Sequence, residues 1–150
     1  MKFGFTGNQV GMSNEQKHVV LSIFSDIVSV EFHHGDCIGA DTDAHNIYKE
    51  VSSGKIIIHP PINEIKRSFC EDGVVLESKE YLARNHDIVD ASNIMIACPS
   101  SKIEQVRSGT WATIRYSKKK NKKIYIIFPD GSMERNGFMD YTTNLIKLLS

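Results

Sequence analysis

Residues 32–48 read FHHGDCIGADTDAHNIY: the end of an apolar strand, a turn through Gly35 and Gly39, and a helix carried by Ala40, Ala44, Ile47 and Tyr48. A glycine at a strand-to-helix turn admits backbone conformations closed to other residues. The start of a helix leaves N–H groups free to hold an anion. Asp36, Asp41 and His45 add acceptors and a titratable ring around the same turn. A phosphate alone does not explain the acids; a phosphate joined to a sugar or a base does.

Outward from this stretch, strands and helices alternate. Residues 2–5 and 30–34 read as strands flanking a helix whose Val19, Val20, Ile23, Phe24, Ile27 and Val28 recur at helical spacing and point inward. Ser13 followed by Gln16 is a capping box for that helix. Residues 55–59, KIIIH, form the third strand, stopped by Pro60 and Pro61. Residues 62–75 carry no clear pattern and read equally as a short helix or a lid. A helix over 78–91 turns Leu82 and Val89 inward; strand 93–98 ends at Pro99; a helix runs from 108 to about 119; residues 124–128 form the fifth strand. Tyr141, Leu145, Leu148 and Leu149 suggest a closing helix. This alternation predicts an α/β chain, a Rossmann-like three-layer fold with a mainly parallel sheet of about five strands, whose ligands bind beyond the strands' carboxyl ends.

The 150 residues are 41% hydrophobic and 24% charged, with 18 basic and 18 acidic side chains, so one compact domain spanning 1–150 is expected. The neutral balance lowers the expectation of general nucleic-acid binding. The lysine run 118–123 reads as a solvated turn at a helix end rather than a DNA-binding patch. The chain shows no signal-peptide core and no membrane-length apolar run, so the expectation is a cytoplasmic protein without a membrane partner. Apolar helix surfaces offer a face for a homodimer or higher homo-oligomer.

Cys37, Cys70 and Cys98 are isolated and odd in number, which argues against a disulfide framework or a structural zinc site. His33, His34, Cys37, Asp41, Asp43 and His45 are metal-ligand types, but neither HExxH nor CxxC orders them, and no metal is expected. The loop at 6–12 is neither a Walker A loop nor GxGxxG, and no cofactor is expected. Polar signals instead converge from TGNQVGM at 6–12, HGDCIGAD at 34–41, ARN at 83–85 and RSGTW at 107–111. The expected ligand-binding set is Thr6, Gly7, Asn8, Met12, Gly35, Asp36, Gly39, Asp41, His45, Arg84, Asn85, Pro99, Arg107, Ser108, Gly109, Thr110 and Trp111. Gly109 and Thr110 offer donors to a phosphate, the arginines charge, and Trp111 either a stacking face or core packing. Asp36 and Asp41 are the candidate catalytic carboxylates, for orienting water or stabilising a positively developing sugar.

FTGNQVGMS at 5–13, HGDCIGADTDAH at 34–45, RNHDIVDAS at 84–92, IACP at 96–99 and SGTWATIRYSKKKNKKIYII at 108–127 resemble, in order, the SLOG superfamily. That Rossmann-like group includes the DNA-processing protein A fold and the LOG cytokinin-activating enzymes; the likeness here is to its small YspA/YpsA-like branches of bacteria and phages. The resemblance implies binding of a nucleotide or nucleotide-derived ligand, as a sensor or ligand-sequestering factor. Its alternatives are N-glycosidic hydrolysis of a nucleotide or NAD-like molecule, and a DNA-processing accessory role. The LOG loop PGGxGTxxE corresponds to residues 107–113, where Gly109 and Thr110 match but Thr113 stands in place of the catalytic glutamate. That departure counts against LOG-type chemistry.

Overall fold

The computed structural model describes residues 1–138 and 149. Chain order is β1 (Lys2–Gly7), α1 (Asn14–Asp26), β2 (Glu31–His34), α2 (Ala40–Val51), β3 (Lys55–Ile58), β4 (Val74–Val75), α3 (Tyr81–Ala91), β5 (Ile94–Cys98), α4 (Gly109–Lys119), β6 (Lys123–Ile127) and β7 (Met133–Asn136). The sheet order is β4-β3-β2-β1-β5-β6-β7, parallel throughout except for β7, which runs antiparallel to β6. The expected strands are thus the central ones, and two short strands extend the sheet at its edges. Leaving β1, the chain builds outward to β4, then crosses back to place β5 on β1's other side, which opens a crevice above the β1–β5 junction.

Alternation along the strands divides the core into two layers. Phe3, Phe5, Phe32, Ile94 and Ile96 pack with Phe24 of α1 and Tyr48 of α2. Met95, Ala97, Ile124 and Ile126 pack with Ile88 and Val89 of α3 and Trp111 and Ile114 of α4. The Phe24 ring stands edge-on to Phe32 and Tyr48 at 5.1 and 5.0 Å, a favoured aromatic geometry.

α1 begins at the expected capping box: Gln16 N–H donates to Ser13 Oγ at 3.1 Å, and Ser13 N–H donates to Gln16 Oε1 at 3.0 Å. Buried Gln16 also donates from Nε2 to the carbonyls of Pro99 and Ile127, 2.9 Å each, which ties the ends of β5 and β6 to α1. The helix stops at Asp26, so Val28, expected inside, is 89% exposed. In α3 the inward stripe is Arg84, Ile88 and Val89, while Leu82, also expected inside, is 63% exposed. The expected closing helix lies outside the described residues apart from Leu149. No described helix is long and apolar enough to cross a membrane.

Candidate functional site

Above the β1–β5 junction lies a cleft of ≈ 380 Å³. Its floor is the end of β1, with Thr6, Gly7 and Asn8; one wall holds Gly35, Cys37 and Asp41, and α3 contributes Tyr81, Arg84 and Asn85. The far wall is the start of α4, with Arg107, Ser108, Gly109 and Thr110. Four separated sequence signals therefore meet at one sheet edge.

The two helix starts beside the cleft differ. At α2, Ala40 N–H donates to Asn8 O at 3.0 Å, and Gly39, at φ 93°, lies against the carbonyls of Asn8 and Gln9. The β1 loop covers this start. Asn8 fixes that loop by accepting from Val10 and Gly11 N–H at 3.0 and 2.9 Å and donating from Nδ2 to Cys98 O at 3.2 Å. At α4, Ser108 Oγ accepts from Trp111 N–H at 3.3 Å, and Ser108 O accepts from Ala112 N–H at 2.9 Å. The N–H groups of Gly109 and Thr110 have no acceptor among the described residues, and the space beside Gly109's Cα is open. Exposed Arg107 stands next to them without an ion-pair partner among the described residues. Free amides, the positive end of a helix and a guanidinium are the elements from which anion sites are built.

Arg84 closes the opposite end. It is 3% exposed and donates to the carbonyls of Gly35 and His59 from Nη1, and to Asn85 Oδ1 from Nε at 2.8 Å. A Cβ at position 35 would collide with its guanidinium, so Gly35 is what allows this docking. Asp41 accepts from Cys37 N–H at 3.0 Å. Burial raises its carboxyl to about 6, against the lowering pull of the Cys37 amide and the Arg84 charge. Burial also raises the Cys37 thiol, whose Sγ lies 3.1 Å from Tyr81 Oη.

The remaining candidates sit behind the walls. Asp36, 0% exposed, accepts from Arg67 Nε and Cys70 N–H, 2.9 Å each, and so pins the segment after β3 across the ends of β2 and α2. Those donors hold its carboxylate below the usual range despite burial. Met12 and Trp111, 7% and 6% exposed, pack in the two core layers; Pro99 O accepts from Gln16. Tyr81 was not among the sequence candidates; it precedes Arg84 by three residues, the spacing that puts two helix side chains together.

His45 belongs to a buried relay. Asp36 N–H donates to His34 Nδ1 at 2.9 Å, so the His34 proton is on Nε2 and is given to His45 Nδ1 at 2.9 Å. His45 Nε2–H in turn donates to Glu71 O at 2.8 Å. His34, His45 and Cys70 place potential ligand atoms within 4.8 Å of one another. A metal on His34 Nε2 would move that ring's proton to Nδ1, against the Asp36 N–H, so the relay opposes ligation there. On the other side of β2, Glu31 accepts from His33 Nε2–H, and His33 Nδ1 accepts from His59 Nε2–H, both at 2.8 Å. Burial lowers His34 to about 3 and His59 to about 4, keeping both rings neutral.

No protein-family model matches the chain, and no curated protein matches it. Solved structures do. The molybdenum-cofactor-binding protein of Rippkaea orientalis aligns over 99% of this chain and 83% of its own, with 18% identity and a TM-score of 0.63. The molybdenum cofactor carrier protein of Chlamydomonas reinhardtii aligns over 99% and 84%, with 16% identity and a TM-score of 0.59. DNA processing protein A of Helicobacter pylori, described for its single-stranded DNA binding, aligns over 99% and 72%, with 17% identity and a TM-score of 0.61. The chain therefore has the Rossmann-like fold that these cofactor- and DNA-binding proteins share.

Proposed function

We propose that this is a SLOG-superfamily protein whose cleft holds a phosphate-bearing small ligand of nucleotide type, with the phosphate at the start of α4 and the rest of the molecule reaching toward Asp41 and Arg84. The observation that carries the reading is the uncovered helix start: two free N–H groups, a serine cap and Arg107 facing a cleft. At ≈ 380 Å³ the space lies near the small end of the ~300–1,000 Å³ usual for ligand sites, in keeping with a mononucleotide rather than a dinucleotide. The named activities of the molybdenum-cofactor proteins, binding and carrying a small ligand, accord with it.

Holding is favoured over hydrolysis. Asp41 is the one carboxylate in the described lining, whereas glycosidic cleavage ordinarily uses two. Thr113, where the LOG pattern has its glutamate, is 3% exposed and spends its hydroxyl on Gly109 O at 2.9 Å. DNA binding through the lysine run has less support. Those lysines lie at the other end of α4, where Lys122 donates to Ser92 O and Lys118 approaches Glu134.

The test is titration calorimetry with nucleoside monophosphates and ribose 5-phosphate, beside chromatography of the same mixtures for free base. Saturable binding without product, weakened at least ten-fold by Arg107→Ala, is expected. Release of base that stops in Asp41→Asn would replace the holding reading with the hydrolytic one.

A further inference from the structure

Resting on that phosphate-ligand reading, we propose that Tyr81 is the stacking platform for a planar ring, so that the ligand is a phosphate ester carrying an aromatic heterocycle. The polar side chains and backbone of the lining account for a phosphate and hydroxyl groups but not for a ring. Among the aromatic side chains of the lining, Tyr81 is the one with substantial exposure. Its side chain lines the cleft and is 39% exposed, and it is held at two points: Oη by Cys37 Sγ at 3.1 Å, and one ring face by the Arg84 guanidinium, whose Cζ lies 4.5 Å from the centroid.

Arg84 is itself fixed by Gly35 O, His59 O and Asn85 Oδ1. The platform is therefore rigid before any ligand arrives, and stacking on it costs little side-chain entropy. A guanidinium on the far face also polarises the ring and strengthens its attraction for an electron-rich heterocycle on the near face. The other aromatic side chains close to the cleft cannot serve: Phe5 is 1% exposed and Trp111 6%. Val10, 94% exposed and also in the lining, supplies a flexible apolar contact for the same ring.

The experiment compares AMP and GMP with ribose 5-phosphate on the wild type, Tyr81→Phe and Tyr81→Leu, by calorimetry and by proton NMR of the ligand. At least one nucleotide is expected to bind roughly ten- to a hundred-fold more tightly than ribose 5-phosphate. Its base protons should shift upfield in the wild type and Tyr81→Phe. Tyr81→Leu should remove the nucleotide's advantage and the upfield shift while leaving ribose 5-phosphate affinity unchanged. Equal wild-type affinity for nucleotides and ribose 5-phosphate, or a Tyr81→Leu loss shared equally by both, overturns the stacking role and leaves the phosphate site standing. Binding of none of the three overturns both. If Tyr81→Leu does not fold, Tyr81→Phe and the ring-current shifts decide the matter.

Discussion

Acidification should weaken this fold well before its ordinary carboxylates titrate, because the interior holds neutral imidazoles. His34 falls from 6.5 to about 3 and His59 from 6.5 to about 4 on folding. Above pH 6.5 both rings are neutral in either state and contribute no pH dependence. As the pH falls below 6.5 the unfolded chain takes up protons that the folded chain refuses, and stability is lost. At pH 5.0 each unfolded imidazole has gained about 2 kcal/mol from its proton, so the two together cost the fold about 4 kcal/mol.

Asp41 works in the opposite sense. Its carboxyl rises from 3.8 to about 6, so between those values the folded chain binds the proton first and regains roughly 1.4 kcal/mol by pH 5.0. The net expectation is a loss of roughly 2.5 kcal/mol between pH 7.5 and 5.0, or about 5–10 °C in Tm for a chain of this length. His33 and His45, both lowered by burial, add to the loss. The contributions of Asp36 and Glu31, both held low, disappear only as the pH falls through ordinary carboxylate values, outside this window. Urea unfolding followed by fluorescence of the buried Trp111 at the two pH values measures the difference. An equal or higher midpoint at pH 5.0, or an NMR titration placing a proton on both His34 nitrogens above pH 5, would refute the reasoning.

Other perturbations separate the walls of the cleft from what supports them. Arg84→Met strands the carbonyls of Gly35 and His59 and should lower stability by about 2–4 kcal/mol, read by urea midpoint, together with ligand binding. Gly39→Ala places a methyl group against the carbonyls of Asn8 and Gln9 at a positive φ; a loss of roughly 2 kcal/mol or more is expected in thermal unfolding, with the β1 loop displaced in amide chemical shifts. Asp36→Asn removes the charge that holds Arg67 and should cost about 1–3 kcal/mol, with faster limited proteolysis between residues 62 and 73.

What the sequence made legible was local. The Ser13–Gln16 box lies within four residues, and β3, β5 and β6 announce themselves as apolar runs. β4 is only Val74 and Val75, both exposed and too few to show alternation, and β7 is the exposed run MERN, which carries no hydrophobic pattern. Val28 prolongs the helical spacing of α1, but the chain has left the helix by then: the N–H of Ile27, the C-cap, still reaches Ile23 O while its own backbone is extended. In the cleft, the glycine turns and the helix start at RSGTW were visible in their own segments. Which acid faces the cavity was not. Asp36 is withdrawn by partners 31 and 34 residues away, and Asp41 is left at the wall. Tyr81 acquires its Cys37 anchor, and the neighbouring Arg84 its fixed position, only once α3 lies against the turn after β2.

The histidine pairs on β2 also constrain how this chain can change over generations. Successive strand residues face opposite layers, so His33 and His34 each commit a different neighbouring element, one to His59 and the other to His45. Replacing His34 by leucine strands the Asp36 amide and one nitrogen of His45 where water cannot reach them. Such a replacement is expected to need both a change at position 45 and a new acceptor for the Asp36 amide, while positions 33 and 59 are tied to each other by their own hydrogen bond. This strand should therefore drift by coordinated double steps, and two branches descended from one ancestor should differ at both members of a pair or at neither.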